Sequence, residues 1–255
     1  RFHTSQRRLH FNMKPALREN QLQAPKHWQS FRQGPALAAA LEQQLAPWWQ
    51  QIFGYYLLKV GDLSCQLSTP ECRVRYQLRL GSASITPDVV AEPDALPIAC
   101  SSVDAVLLSH CLEFQNDPHH VIREAHRVLV ADGYLLLSGF NPHSWLGLWR
   151  CLPAYQQQLP WQGHFFSAAR IKDWLHLIGF EVMAEQRFFC SAMLAQEFRQ
   201  NSWQKFNERF LNLFASSYLL VARKRELPLT PIRPKWRVQS SFTPAQQGIR
   251  AREKL

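Results

Sequence analysis

Two apolar runs on either side of one amphipathic segment constrain the fold more than any other feature of this chain. Val103–Ser109 and Tyr134–Ser138 are almost continuously apolar, which is typical of strands buried on both faces. Between them, Asn116-Asp117-Pro118 combines capping side chains with a proline suited to the first turn of a helix. The predicted helix has one apolar stripe, made of Val121, Ile122, Ala125, Val128 and Leu129. We expect Ala131-Asp132-Gly133 to turn the chain, and the whole to form a right-handed βαβ unit with parallel strands.

The remaining elements extend this unit into one α/β domain with a parallel-dominated sheet. Further strands are predicted at Tyr55–Val60, Cys72–Leu80, Phe180–Phe189 and Ser217–Ala222. Further helices are predicted at Pro35–Phe53, with a bend near Pro47, at Ala168–Ile178 and at Trp203–Phe214. We therefore divide the chain into a basic N-terminal extension (1–34), a domain (35–222) with a Trp-rich insertion at about 140–165, and a basic tail (223–255) expected to be disordered.

The positive charge of the chain is concentrated at its two ends. The formal net charge is +10, but residues 1–32 carry +6, residues 223–255 carry +7 and residues 33–222 carry −3. We interpret the ends as solvated tails, with contact to RNA through them as an open alternative. No segment has the pattern of a membrane span or a signal peptide, so we expect a cytoplasmic protein. The sequence does not indicate an oligomeric state.

Ligands of open α/β sheets bind at the carboxyl ends of the strands, so residues that directly follow predicted strands are the candidate site residues. These are Gly61-Asp62, Leu80-Gly81, Asp94–Leu96, Ser109–Glu113 and Gly139–His143. Within them, His110 is as compatible with a buried structural histidine as with a catalytic group. Glu113 is interpreted as a helix-face or gate residue.

Other chemistry-bearing residues favour structural roles. The six cysteines include no CxxC pair, and the histidines lack the spacing of a ligand set, so no metal site is predicted. Three tryptophans of the insertion are interpreted as a hydrophobic lid or, alternatively, as the wall of an apolar substrate pocket. They are Trp145, Trp149 and Trp161.

The stretch from Asp94 to Gly139 resembles the central signature of the class I S-adenosylmethionine-dependent methyltransferases, and within them the type 11 family. Four pieces match in order and spacing: Val103-Asp104-Ala105-Val106, Ile122-Arg123-Glu124, Arg127-Val128-Leu129 and Asp132-Gly133-Tyr134-Leu135. The continuation GFNPHSWLGLWR resembles a bacterial branch of that family. The resemblance implies a Rossmann-like α/β fold with a seven-stranded, mostly parallel sheet, one reversed terminal strand and helices on both faces. It also implies S-adenosylmethionine as cofactor. The aromatic residues of the insertion favour a small or planar apolar molecule as methyl acceptor, with a nucleobase as an open alternative.

The resemblance also implies roles for the candidate residues. Asp94 and its neighbours match the segment that contacts the adenine, and His110 matches a position beside the transferable methyl group, which makes it the candidate general base. Gly61 matches the first glycine of the cofactor loop. The full set of implied cofactor-binding residues is Gly61, Asp62, Gly81, Asp94, Ala95, Leu96, Ser109 and His110.

The sequence departs from the family at two places. The first motif, an acidic residue followed by alternating glycines, is replaced by Lys59-Val60-Gly61-Asp62-Leu63-Ser64-Cys65. The acid that would bind the ribose after the second strand is replaced by Leu80-Gly81-Ser82, and we hypothesise that Asp62 supplies that carboxylate from a shifted position. The leading hypothesis is therefore a methyltransferase; the alternative is an inactive methyltransferase-fold module that binds a protein or RNA partner. A Rossmann dehydrogenase is disfavoured, because no GxGxxG follows the first strand.

Overall fold

Seven strands form one mixed sheet in the computed structural model, which describes residues 24–144, 146–147, 158–189 and 215–226. The strands are β1 (Tyr56–Val60), β2 (Tyr76–Gly81), β3 (Val89–Val90), β4 (Val103–Ser109), β5 (Leu129–Phe140), β6 (Phe180–Phe188) and β7 (Ser217–Lys224). Their order is β3-β2-β1-β4-β5-β7-β6, and β7 is antiparallel to both of its neighbours while the other pairs are parallel. The expected mostly parallel sheet with one reversed terminal strand is confirmed.

Four described helices flank the sheet: α1 (Gly34–Trp49), α2 (Asp62–Cys65), α3 (Pro118–Val128) and α4 (Ala168–Ile178). The caps predicted from sequence are present. The Asp117 carboxylate accepts a hydrogen bond from the His120 amide at 3.0 Å, and Ser167 caps α4 in the same way. Gly179 ends α4 in the left-handed conformation, with φ +107°.

The core has two layers, one on each face of the sheet. Alternate residues of β4 supply both layers, since Val106 and Leu108 pack toward α3 and α4 whereas Ala105 and Leu107 pack toward α1. Trp161 is buried in the α1 layer, and its indole N–H donates to the Leu146 carbonyl at 2.8 Å. This tryptophan of the insertion is therefore part of the core; Trp145 and Trp149 lie outside the described residues.

The structure corrects the predicted turn at residues 131–133. These residues belong to β5, which begins at Leu129 rather than Tyr134. Val103 pairs with Leu129 and Ala105 pairs with Tyr134, so extra residues are accommodated as a bulge in β5. Asp132 adopts a φ of +61° within it, a conformation that aspartate tolerates better than most residues.

The packed part of the chain also differs from the predicted boundaries. Trp28 and Phe31, assigned to the N-terminal extension, are 4% and 1% exposed and belong to the core. At the other end β7 continues to Lys224, whose ammonium group donates to the Leu129 carbonyl at 2.9 Å. The predicted helix at 203–214 and the rest of the tail lie outside the described residues.

No helix of the described residues is both long enough and apolar enough to cross a bilayer.

Candidate active site

A cavity of about 290 Å³ lies at the carboxyl ends of β1, β2 and β4, where the fold places ligands. It is walled by Ala24, Pro25, Gly61, Asp62, Leu63, Gly81, Ser82, Ala83, Val90, Ala91, Glu92, Pro93, Ser109, His110, Cys111, Phe114 and Gln115. Five of the eight candidate cofactor residues are in this wall: Gly61, Asp62, Gly81, Ser109 and His110. The three from the adenine segment, Asp94 to Leu96, are outside it, directly after Pro93.

The loop after β1 bends sharply at Gly61. This glycine has a φ of +88°, and its amide donates to the Leu80 carbonyl at 2.8 Å. A side chain here would be strained in that conformation. Asp62 follows at the start of α2, so its carboxylate is directed toward the end of the neighbouring strand β2.

The Asp62 carboxylate joins the ends of β1 and β2. Its two oxygens accept from the amide and the hydroxyl of Ser82 at 2.7 and 2.6 Å. A Cβ added to Gly81 would lie 2.6 Å from Asp62 Oδ1, so the glycine leaves the space that this carboxylate uses. An acid is thus held beside the end of β2, where the sequence has none of its own.

Lys59 occupies the position where the family motif has its acid. It is 5% exposed, and its ammonium group donates to the Leu67 carbonyl at 2.8 Å. Burial lowers the pKa of Lys59, with smaller opposing effects from the neighbouring thiols and a smaller effect of Arg79 in the same direction. The lysine therefore fixes the segment after α2 and is absent from the cavity wall.

The end of β4 places polar groups in an apolar setting. The Ser109 amide donates to the Ser64 hydroxyl at 2.7 Å, which ties β4 to α2. His110 follows with a φ of +46°, and neither of its ring nitrogens has a hydrogen-bond partner in the described part of the chain. Its ring lies 4.1 Å from the Phe140 ring and 5.8 Å from the Trp28 ring, measured between centroids. Trp28 meets it edge-on, at 89°.

Glu113 is buried beside His110 rather than exposed on a helix face. Its carboxylate Oε1 accepts from the Phe140 amide at 2.8 Å and lies 3.5 Å from His110 Nδ1. Its other oxygen has no partner among the described residues. The earlier interpretation of Glu113 as a helix-face residue is wrong, because the 3-10 turn Leu112–Phe114 directs this carboxylate inward, against the end of β5.

The segment between β3 and β4 is held by a partly buried ion pair. Arg127 donates to the Leu96 and Ile98 carbonyls, both at 2.8 Å, and pairs with Glu124 at 2.7 Å. Glu124 in turn accepts from the Leu96 amide at 3.1 Å. These contacts fix the chain directly after Asp94, which is half-buried. Glu92 and Pro93, two residues that sequence reasoning missed, reach the cavity instead.

Two more wall features were not predicted, Ser82 and the pair Ala24 and Pro25. Ser82 was not chosen because a serine after a strand carries no distinctive signal. Ala24 and Pro25 come from the supposed extension, and only the apolar Trp28 and Phe31 nearby could have indicated packing there. Burial raises the pKa of Cys111 far above that of a free thiol, so this wall residue stays neutral.

The wall suits a nucleoside that carries a polar chain better than it suits a metal. It offers the Asp62 carboxylate at the β2 end, a second carboxylate at Glu92 and backbone close to the cavity at Gly61. Apolar surface comes from Val90, Ala91 and Pro93. Its volume is at the small end of the usual range for small-molecule sites, roughly 300–1,000 Å³. Within the described residues no three His, Cys, Asp or Glu side chains are grouped to hold a metal ion. These observations fit S-adenosylmethionine in the place that the resemblance implies.

Comparison with known proteins supports the same conclusion. The family profile described as "Methyltransferase domain" matches residues 69–137. The uncharacterized protein YafS of Escherichia coli is 38% identical over 222 residues, which is 86% of this chain and 88% of YafS. This chain belongs to the class I methyltransferases, in one family with YafS.

Solved structures show the fold of this family at low sequence identity. A methyltransferase of Haloferax volcanii, in complex with the activator Trm112, is 17% identical, with a TM-score of 0.51 over 75% of this chain and 97% of that one. A Listeria monocytogenes protein assigned as an S-adenosylmethionine-dependent methyltransferase is 14% identical, also with a TM-score of 0.51, over 74% and 99% of the two chains. Both likenesses concern the fold alone.

Proposed function

We propose that this methyltransferase binds S-adenosylmethionine in the cavity at the ends of β1, β2 and β4 and methylates a small molecule. The observation that carries the proposal is the Asp62 carboxylate, which is held by Ser82 at the place where the fold needs an acid for the ribose hydroxyls. A carboxylate fixed by two donors keeps further lone pairs for hydroxyl groups. Gly61 lets the backbone approach the cofactor, and Ser109 and His110 close the opposite wall.

The cofactor supplies an electrophilic methyl group when bound, so the protein has to bind, orient and exclude water. Apolar residues serve the last purpose, since Leu63, Phe114 and Pro93 contribute to the wall. His110 would accept a proton from the acceptor where that acceptor has one to lose. We propose that the Asp94 segment lies beside the adenine, supported by its position directly after the wall residue Pro93.

Calorimetric titration with S-adenosylmethionine and with S-adenosylhomocysteine tests the proposal. We expect micromolar dissociation constants for the wild type and a loss of about tenfold or more in Asp62→Ala, equivalent to about 1.4 kcal/mol. Asp88→Ala is the matched control, because Asp88 pairs with Arg79 on the surface and lies outside the cavity wall. Equal affinity in Asp62→Ala and wild type would contradict the role of Asp62.

Absence of binding by a folded wild-type protein up to millimolar concentration would favour the second candidate, a methyltransferase-fold module without catalysis. The replacement of the motif acid by the buried Lys59 is the observation that favours it. In that case binding to a labelled RNA should weaken steeply with salt, and it should be lost on removal of residues 227–255 if the basic end carries it.

A further inference from the structure

Two buried side chains that follow β4, those of His110 and Glu113, carry polar atoms that no described residue hydrogen-bonds. His110 has both nitrogens without a hydrogen bond, and Glu113 has one free oxygen, within the part of the chain that the structure describes. Their side chains are 0% and 2% exposed. A buried polar group without a partner destabilises the folded state, so two such residues side by side point to a ligand that completes them.

From this geometry we infer that Glu113 is a positioning residue that orients His110 as the proton acceptor for a small planar methyl acceptor carrying an O–H or N–H group. The inference rests on the proposed function and names the substrate class for the same site. Glu113 is itself fixed, because the Phe140 amide donates to its Oε1 at 2.8 Å. The same oxygen lies 3.5 Å from His110 Nδ1, close enough for a small movement to form a hydrogen bond.

A carboxylate at Nδ1 determines which nitrogen is basic. It accepts a hydrogen bond from Nδ1–H, which keeps the proton on Nδ1 and leaves the lone pair on Nε2 to receive a proton. The neighbouring groups on the other elements do not compete for it. Tyr218, on β7, donates its hydroxyl to the Phe166 carbonyl at 2.9 Å, and burial together with Glu113 raises its pKa, so it remains a neutral donor. Ser109 and Ser138 are uncharged, and their hydroxyls are unpartnered among the described residues.

The surroundings of the imidazole select a flat acceptor. The His110 ring contacts the rings of Phe140 and Trp28, and Phe140 in turn contacts Phe165. Aromatic faces and edges at these distances favour a planar partner. Because the imidazole has no exposed surface, the packing around it, to which Trp28 and Phe140 contribute, has to open before an acceptor reaches Nε2.

The group transfer balances without any other reagent. The lone pair of the acceptor oxygen or nitrogen forms a bond to the methyl carbon, and the sulfur–carbon bond breaks with its electron pair left on sulfur. The acceptor proton passes to His110 Nε2, and the resulting imidazolium is stabilised by Glu113 and returns the proton to water after opening. The products are the methylated acceptor and S-adenosylhomocysteine.

The tautomer of His110 tests the positioning role without activity. Long-range ¹H–¹⁵N spectra of histidine-labelled full-length protein at pH 8 should show His110 protonated at Nδ1, with its signal assigned by its loss in His110→Gln. In Glu113→Gln and Glu113→Ala we expect the Nε2–H form, which free imidazole side chains prefer. Glu185→Gln, a change on β6, is the matched control and should leave the signal unchanged. An Nε2–H tautomer in the wild type, or an unchanged signal in both Glu113 variants, would overturn the inference.

Methyl transfer to paired probes tests the substrate class. Phenol has to lose a proton during the reaction, whereas thiophenol of nearly the same shape is already ionised at pH 8. Glu113→Gln and His110→Gln should lower transfer to phenol by roughly tenfold to a hundredfold or more and change transfer to thiophenol far less. An equal fall for both probes would indicate a purely structural role. Calorimetric measurement of cofactor binding distinguishes a structural role of Glu113 from failure of the proposed function, since only the latter abolishes cofactor binding in the wild type. If neither probe is methylated, the tautomer of His110 in the wild type and in the Glu113 variants tests the inference.

Discussion

At the scale of single residues, the exchange of an acid for Lys59 is the strongest departure from the family. From the sequence alone, this exchange is interpreted as the loss of a cofactor-binding residue from the first motif. The structure gives it a partner, because the Lys59 ammonium group is buried and donates to the Leu67 carbonyl. Since a buried lysine has to be compensated by local structure, the motif has been rebuilt around a cation rather than simply lost. The Asp62 carboxylate lies beside the end of β2, where the contact with Ser82 that fixes it has no sequence signal; its role toward the ribose is the hypothesis that the titration of Asp62→Ala tests.

The lowered pKa of Lys59 predicts an alkaline dependence of stability. Between its folded pKa and 10.5 the unfolded chain binds a proton that the folded chain has released, so the free energy of unfolding rises with pH in that window. Lys59→Met should lack this rise and should be as stable as the wild type at pH 7, or more stable by about 1–4 kcal/mol, because no charge is buried. Urea unfolding at pH 7 to 10.5 measures both effects. A parallel pH dependence in the two proteins would contradict the prediction.

At the scale of elements, the contact between α3 and the segment before β4 predicts an acid dependence. A hydrogen bond from Arg127 holds the pKa of Glu124 below its usual 4.5, against a smaller opposing effect of burial. The stability that this ion pair contributes is present above pH 4.5 and is lost as the pH falls through the lowered pKa. Glu124→Gln should therefore lower the free energy of unfolding at pH 7 by about 1 kcal/mol or more. In this variant the free energy of unfolding should also decrease less than in the wild type as the pH falls from 4.5 to 2. Chemical unfolding across this pH range is the measurement, and an unchanged slope would count against it.

The segment 24–33 is the element that sequence analysis assigned wrongly, since its basic charge suggested a solvated tail. Trp28 donates to the Leu63 carbonyl at 3.1 Å and covers the ring of His110. We expect diethyl pyrocarbonate to modify His110 slowly in the wild type and faster in Trp28→Leu, because access requires local opening of this segment. Peptide mass spectrometry follows the reaction, and the exposed His119 and His120 serve as internal controls with equal rates in both proteins. Equal modification rates at His110 would show that Trp28 does not control access.

At the scale of the whole molecule, the sheet was predictable because its strongest signals are local. The βαβ unit from Val103 to Ser138, its cap at Asp117 and the helix ended by Gly179 all appear where the residues indicated. The bulge at 130–133 was not predictable, because it depends on the register between β4 and β5. The pairing of Glu113 with Phe140 was not predictable either, since it requires the end of one strand to meet a turn 27 residues earlier in the chain. Local sequence patterns therefore predicted the strands and helices, whereas contacts between elements that are distant in sequence determine which side chains form the site.

The way the cavity is built leads to a prediction for the complete protein. Its wall combines the ends of three parallel strands with the segments at 24–25 and 90–93, so a bound cofactor contacts parts of the chain that are far apart in sequence. Such a ligand stabilises the whole domain by about 2.7 kcal/mol at a hundred times its dissociation constant. For a domain of this size that corresponds to an increase in Tm of roughly 5–10 °C.

Differential scanning calorimetry with saturating S-adenosylmethionine checks this prediction, with Asp62→Ala expected to lose most of the increase and Glu185→Gln expected to keep it. Neither variant removes apolar core volume, so the comparison separates the effect of the ligand from that of packing. The increase should occur as one transition, because opening any one wall segment exposes the same cavity. If the Tm rose equally in Asp62→Ala, the cofactor would be held without this carboxylate. The apparent reconstruction of the first motif around Lys59 and Asp62 would then be a feature of folding alone.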